Sequence, residues 1–124
     1  MLDKTIQLDF GSVRIKENIL IAKLNEGILF DVENNQKLLV LGQEVFKDKN
    51  YGYISHRVNS YAVDPLVYFE SAQVENLKAI AVVSDNEMTR RNAEEVERKF
   101  YKDSNCFGVF KTLEEAEQWI KTKI

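Results

Sequence analysis

A chain of 124 residues with 44% apolar and 30% charged residues has a globular composition and enough length to bury a core without covalent staples. Its formal charge of −3 argues against a general nucleic-acid binder, which needs a basic face for phosphates. One cysteine and one histidine exclude an internal disulfide and leave no Cys/His set for zinc, so no metal or other cofactor is expected.

The start, MLDKTIQLDFG, lacks the basic residues and apolar run of a signal peptide. No stretch approaches the roughly 18 apolar residues of a membrane span. The expectation is a soluble, cytoplasmic protein in a reducing setting, folded as one domain over 1–124.

The first segment, TIQLDF, alternates Ile6, Leu8 and Phe10 with Thr5, Gln7 and Asp9, the period of a half-buried strand. Gly11-Ser12 is read as a turn, after which Val13 and Ile15 repeat the alternation. Glu17-Asn18 turns the chain again into the richer run Ile19–Leu24. Links this short join antiparallel strands.

Beyond Asn25-Glu26-Gly27 the period changes. Asp31 is an N-cap, and Val32, Leu38, Leu39, Leu41, Val45 and Phe46 share one broad helical face ending near Lys47. Residues 51–58, YGYISHRV, form the next strand. Asp64-Pro65 then starts a helix of about ten residues, with aspartate capping and proline at the first helical position.

Leu77 to Val83 is a nearly unbroken apolar run, the mark of a strand covered on both faces. Ser84-Asp85-Asn86-Glu87 has capping-box spacing. The helix it opens turns Ala93, Val96 and Phe100 inward and pairs Arg90 with Glu94, Arg91 with Glu95 and Glu94 with Arg98 on a solvated face. Cys106 to Phe110 is a last strand, its cysteine read as a small buried hydrophobe. Thr112-Leu113-Glu114-Glu115 caps a final helix striped with Leu113, Ala116, Trp119 and Ile120.

The predicted order is βββαβαβαβα: an α/β fold in which N-terminal antiparallel strands lead into right-handed βα units with a largely parallel sheet. Parallel strands place their C-terminal tips on one edge, where open α/β sheets bind ligands. That edge carries Asn25 and Glu26, then Asn59, Ser60 and Tyr61, then Ser84, Asp85 and Asn86, then Lys111 and Thr112.

The residues of 51–65 offer chemistry and also ordinary structural duties. His56 shares strand parity with Ile54 and Val58 and reads as a packed core residue. Arg57 reads as an ion-pair partner of Asp64 or Glu70, or else as an anion clamp. Tyr61 and Tyr68 read as packing residues with a polar tip. Ser60 has no base in reach: His56, four strand residues back, is about 13 Å away along the backbone. G-x-S-x-G, dinucleotide and P-loop signatures are absent, so no enzyme is expected.

Three segments, AIAVVSDNEM (79–88), FGVFKTLEEAEQWIK (107–121) and YISHRVNSYAVDPLVY (53–68), resemble the SpoIIAA-like, STAS-related (STAS/SEC14-like) domains, the last of them in a bacterial subgroup. The resemblance implies a SpoIIAA-like fold and a non-enzymatic regulatory module that acts through protein–protein contacts. In that family a serine before a helix is phosphorylated. The matching positions are Asn59 to Pro65, with Ser60 the positional candidate and Arg57 and Asp64 nearby, although the family's Asp-Ser-Ser-Gly-like motif is missing. The SEC14 side implies at most a modest apolar pocket.

Two functions follow. The first is binding to a protein partner, self-association included, with Tyr51, Tyr53 and Arg57 as interface-type residues on one strand face. The alternative is a small apolar or anionic ligand held at the edge near Glu26, Arg57, Ser60 and Ser84.

Overall fold

The structure is a computed structural model that describes residues 4–101 and 104–124. Its elements are β1 (Lys4–Leu8), β2 (Gly11–Lys16), β3 (Ile19–Leu24), β4 (Leu29–Phe30), α1 (Val32–Phe46), β5 (Tyr51–His56), β6 (Ala62–Val63), α2 (Leu66–Ala72), β7 (Leu77–Val83), α3 (Glu87–Glu95), β8 (Phe107–Phe110) and α4 (Leu113–Lys121). Short 3₁₀ helices cover Glu97–Phe100 and Ser104–Cys106.

Six strands form one mixed sheet in the order β1-β2-β3-β5-β7-β8. β1, β2 and β3 pair antiparallel, whereas β3, β5, β7 and β8 run parallel. The expected α/β architecture with a largely parallel sheet is therefore present, and the tips of four strands leave along one edge. β4 and β6 make a separate parallel pair, which periodicity does not predict because two residues carry no alternation.

Strand parity divides the core into two layers. Val13, Ile15, Leu20, Ala22, Leu24, Ile80 and Val82 face α1, α2 and α3, which contribute Leu38, Phe46, Val67, Tyr68 and Ala93. Ile19, Ile21, Ile54, Ala79, Ala81 and Val83 face the other way, onto Ala116 and Ile120 of α4. β7 is buried on both sides, as its apolar run requires.

Several boundaries differ from expectation. The first turn is Asp9-Phe10 and Gly11 lies in β2, because Phe10 bends inward to contact Phe30 at 6.2 Å. α2 has seven residues, not ten. Asn86, not Ser84, caps α3 by accepting the Thr89 N–H, so the predicted box does not form. The box at Thr112 and Glu115 does. Cys106 ends a 3₁₀ helix and is half-buried.

Gly11 has a steric reason. A Cβ there would stand 2.6 Å from the Lys23 carbonyl oxygen and 2.8 Å from Leu24 Cα, backbone atoms of a paired strand that cannot step aside. Gly11→Ala is expected to cost about 1–3 kcal/mol through overpacking, read as a lower urea midpoint with an unchanged slope. A neutral result would mean that β2 and β3 lie further apart.

Candidate functional site

The loop after β5 and the first turns of α3 build a cleft of about 260 Å³, lined by Arg57, Asn59, Ser60, Tyr61, Met88, Thr89 and Asn92. Hydrogen bonds fasten its main loop to the loop after β3. The Asn59 side-chain amide donates to the Leu24 carbonyl at 2.9 Å, the Ser60 N–H to the Glu26 carboxylate at 2.8 Å, and the Gly27 N–H to the Ser60 carbonyl at 2.8 Å. The Arg57 N–H donates to the Val83 carbonyl and extends the β5–β7 pairing into the loop.

Beneath the cleft Arg57 enters a polar chamber of about 30 Å³ between the sheet and α2, room for about one water molecule. Its guanidinium donates to both carboxylate oxygens of Glu97, at 2.5 and 2.6 Å, and its Nε donates to Ser55 Oγ at 3.0 Å. Ser55 Oγ lies 3.3 Å from the Tyr61 hydroxyl. Tyr53, Tyr68 and Tyr101 complete the wall. The Glu97 side chain is 2% exposed and that of Arg57 13%.

The electrostatics follow from this packing. Burial alone would lower the Arg57 pKa, but the hydrogen bonds and charge of Glu97 outweigh it and raise it further. Burial, and after it the Glu97 charge, hold Tyr68 and Tyr101 well above the usual phenol range. Tyr53 is raised by burial and then by Tyr61. None of these phenols is a base at neutral pH.

The structure gathers Arg57, Asn59, Ser60 and Tyr61, with Glu26 behind the Ser60 amide. It does not bring Ser84 or Asp85 to them. Ser84 is buried, with its hydroxyl accepting the Asn86 N–H and its carbonyl accepting from Arg90; Asp85 is exposed and acts on His56.

Arg57 pairs with neither Asp64 nor Glu70. Asp64 accepts the Leu66 N–H at the start of α2, and Glu70 accepts from Asn35 and Gln36 of α1. His56 is half-buried on the α4 side beside Lys23, not packed in the core. Burial first, then Lys23, lower its pKa. Tyr51 is 2% exposed and stacked on Phe46 at 4.7 Å, so the strand face proposed for self-association lies beneath α1.

Periodicity misplaces Glu97. The chain leaves α-helical geometry at Val96, a residue 46% exposed, and the 3₁₀ turn rolls Glu97 inward. The available signal is its i+4 spacing from Ala93, which is fully buried. Of the expected surface pairs only Glu94–Arg98 forms, at 2.6 Å; Arg91 reaches Glu87 instead.

A larger groove of about 640 Å³ lies at the opposite end of β5 and β7, between α1 and residues 74–78. In its wall the Asn76 side chain donates to the Lys47 and Lys49 carbonyls and so ties two connections together. Among the described residues no group of three or more His, Cys, Asp and Glu is placed to hold a metal ion, and no helix is long and apolar enough to cross a membrane.

Residues 13–124 match the family described as "Domain of unknown function (DUF7793)". The chain belongs to this family. The DUF7793 match spans β2 through α4 and so includes the cleft and the chamber. No curated protein and no solved structure matches the chain.

Proposed function

We propose that this DUF7793 protein is a non-enzymatic binding module, STAS-like and SpoIIAA-like in design, that engages a protein partner through the rim bearing the Arg57–Tyr61 loop. One observation carries the reading. Val58 and Met88 stand 59% and 74% exposed, the first within that loop and the second in the wall of the cleft. Large apolar side chains beside a polar cleft, on a loop held by hydrogen bonds, suit a protein interface with a few dominant contacts.

Ser60 is exposed in the same loop, where the resemblance to STAS domains would put a phosphorylated serine. A phosphate there would add about −1.5 to −2 charges to a residue whose amide is held by the Glu26 carboxylate. Repulsion between the two would loosen the loop and alter the rim.

The test is a double variant, Val58→Asp with Met88→Asp. Both positions are exposed, so stability should change by no more than about 0.5 kcal/mol each. A partner retained from native lysate by the wild-type protein should bind the variant at least about tenfold more weakly. Equal retention, or no specific partner for either protein, would overturn the reading.

A further inference from the structure

β8 is the last strand of the sheet, and its outer side presents backbone groups to the surface. The Phe110 carbonyl accepts the Ser84 N–H across the β7–β8 seam, so by alternation the carbonyls of Phe107 and Val109 point away from β7. That of Phe107 is closed off, since the Arg98 guanidinium donates to it at 2.7 Å. The Val109 N–H and C=O have no such cover, and among the described residues no strand pairs with them. An edge left open at one residue is where a further strand can add.

The surface beside that edge is charged in a pattern. Glu87, Arg90, Arg91, Glu94 and Glu95 share one face of α3 and, with Val109, line an open groove of about 430 Å³. Arg98 continues the face into the 3₁₀ helix. About the midpoint between Arg91 and Glu94 the charges reverse sign: Glu87 mirrors Arg98, Arg90 mirrors Glu95, and Arg91 mirrors Glu94. A second copy of this helix laid antiparallel would meet opposite charge at all three positions. Within the chain Arg91 meets Glu87 at 3.4 Å and Arg98 meets Glu94 at 2.6 Å. Such surface pairs contribute little, and a carboxylate has acceptor sites to spare.

We propose that a second copy of this chain occupies the groove. β8 pairs antiparallel with β8 of the other copy about a two-fold axis at Val109, and the two α3 helices lie side by side above the join. Each Val109 N–H donates to the Val109 carbonyl opposite. Arg98, by closing Phe107, leaves Val109 as the point of pairing and so sets the register. The dimensions agree. α3 touches both β7 and β8, so its axis lies over their seam, half a strand spacing inside the edge. With strands about 4.8 Å apart, the two helix axes stand about 10 Å apart, within reach of ordinary helix packing.

The dimer follows from the sheet edge and α3, not from the proposed binding function. Its consequence does rest on that function. The paired strands run opposite ways, so the two Arg57–Tyr61 rims face opposite directions and one dimer would hold two partner molecules.

Sedimentation of the purified full chain is the test. At about 1 mM protein even a pair with a Kd of about 100 μM is mostly assembled. The wild type should be a dimer there and dissociate as salt rises. Arg91→Glu and Glu94→Arg each bring like charges together twice across the axis and should weaken assembly at least about tenfold. Mixed in equal amounts, the two variants meet as opposites again, and the dimer should return. Val109→Pro removes the outward N–H without touching a β7 bond, a change that an edge strand tolerates, and should weaken assembly as well; should it unfold, the charge variants decide alone. A wild type that stays monomeric at about 1 mM overturns the proposal. So does a dimer that survives both charge variants, or one that their mixture fails to restore.

Discussion

Glu97→Ala is expected to destabilise the protein by about 3–5 kcal/mol, since it leaves a buried guanidinium without its counter-charge. The argument is one of solvation. Arg57 cannot shed its proton, its side chain is 13% exposed, and Glu97 supplies two of its three hydrogen bonds. Glu97→Gln keeps the volume and one acceptor and should lose less. Replacing both members, Arg57→Met with Glu97→Leu, removes the charge altogether and should recover most of the loss. Urea unfolding of these proteins, with Arg57→Met and Glu97→Leu measured singly as well, completes a double-mutant cycle. If the single alanine variant unfolds within about 1 kcal/mol of wild type, the pair is hydrated and the chamber is not a sealed one.

Phe46→Ala should be about as costly, about 3–5 kcal/mol, for an unrelated reason. Phe46 is the last residue of α1, is 1% exposed and stacks on Tyr51 at an interplanar angle of 15°. Removing the ring leaves a void at the helix end that β5 cannot fill without moving. Val40→Ala, on the same helix but 53% exposed, is the control and should change stability by under about 0.5 kcal/mol. Similar losses at both positions would mean that α1 docks in another rotation.

The regular elements were readable in the sequence because each carries its own period. Alternation marks β1 and β2, the apolar run Leu77–Val83 coincides with β7, and Asp31 caps α1 with its carboxylate on the Asn34 N–H. Direction of the strands followed from connection length, and this placed Arg57, Asn59 and Ser60 on the rim correctly.

What failed were features set by contacts between distant segments. Glu97 reads as one more charge on a charged helix. Only the tertiary fit, forty residues away from Arg57, makes it the buried counter-ion. Ser84 has the residue type and spacing of a cap, but Asn86 is two residues closer to the helix and takes the role. Glu70 is one of two carboxylates in sequence reach of Arg57, the other being Asp64, and the amides of Asn35 and Gln36 on α1 claim it instead.

The three fastenings of the Asn59–Ser60 loop to residues 24–27 bear on kinetics. A segment already immobilised surrenders little chain freedom when something docks on it. Capture by this surface would then be limited by collision and alignment, and amide hydrogens there would exchange slowly before any companion molecule is added.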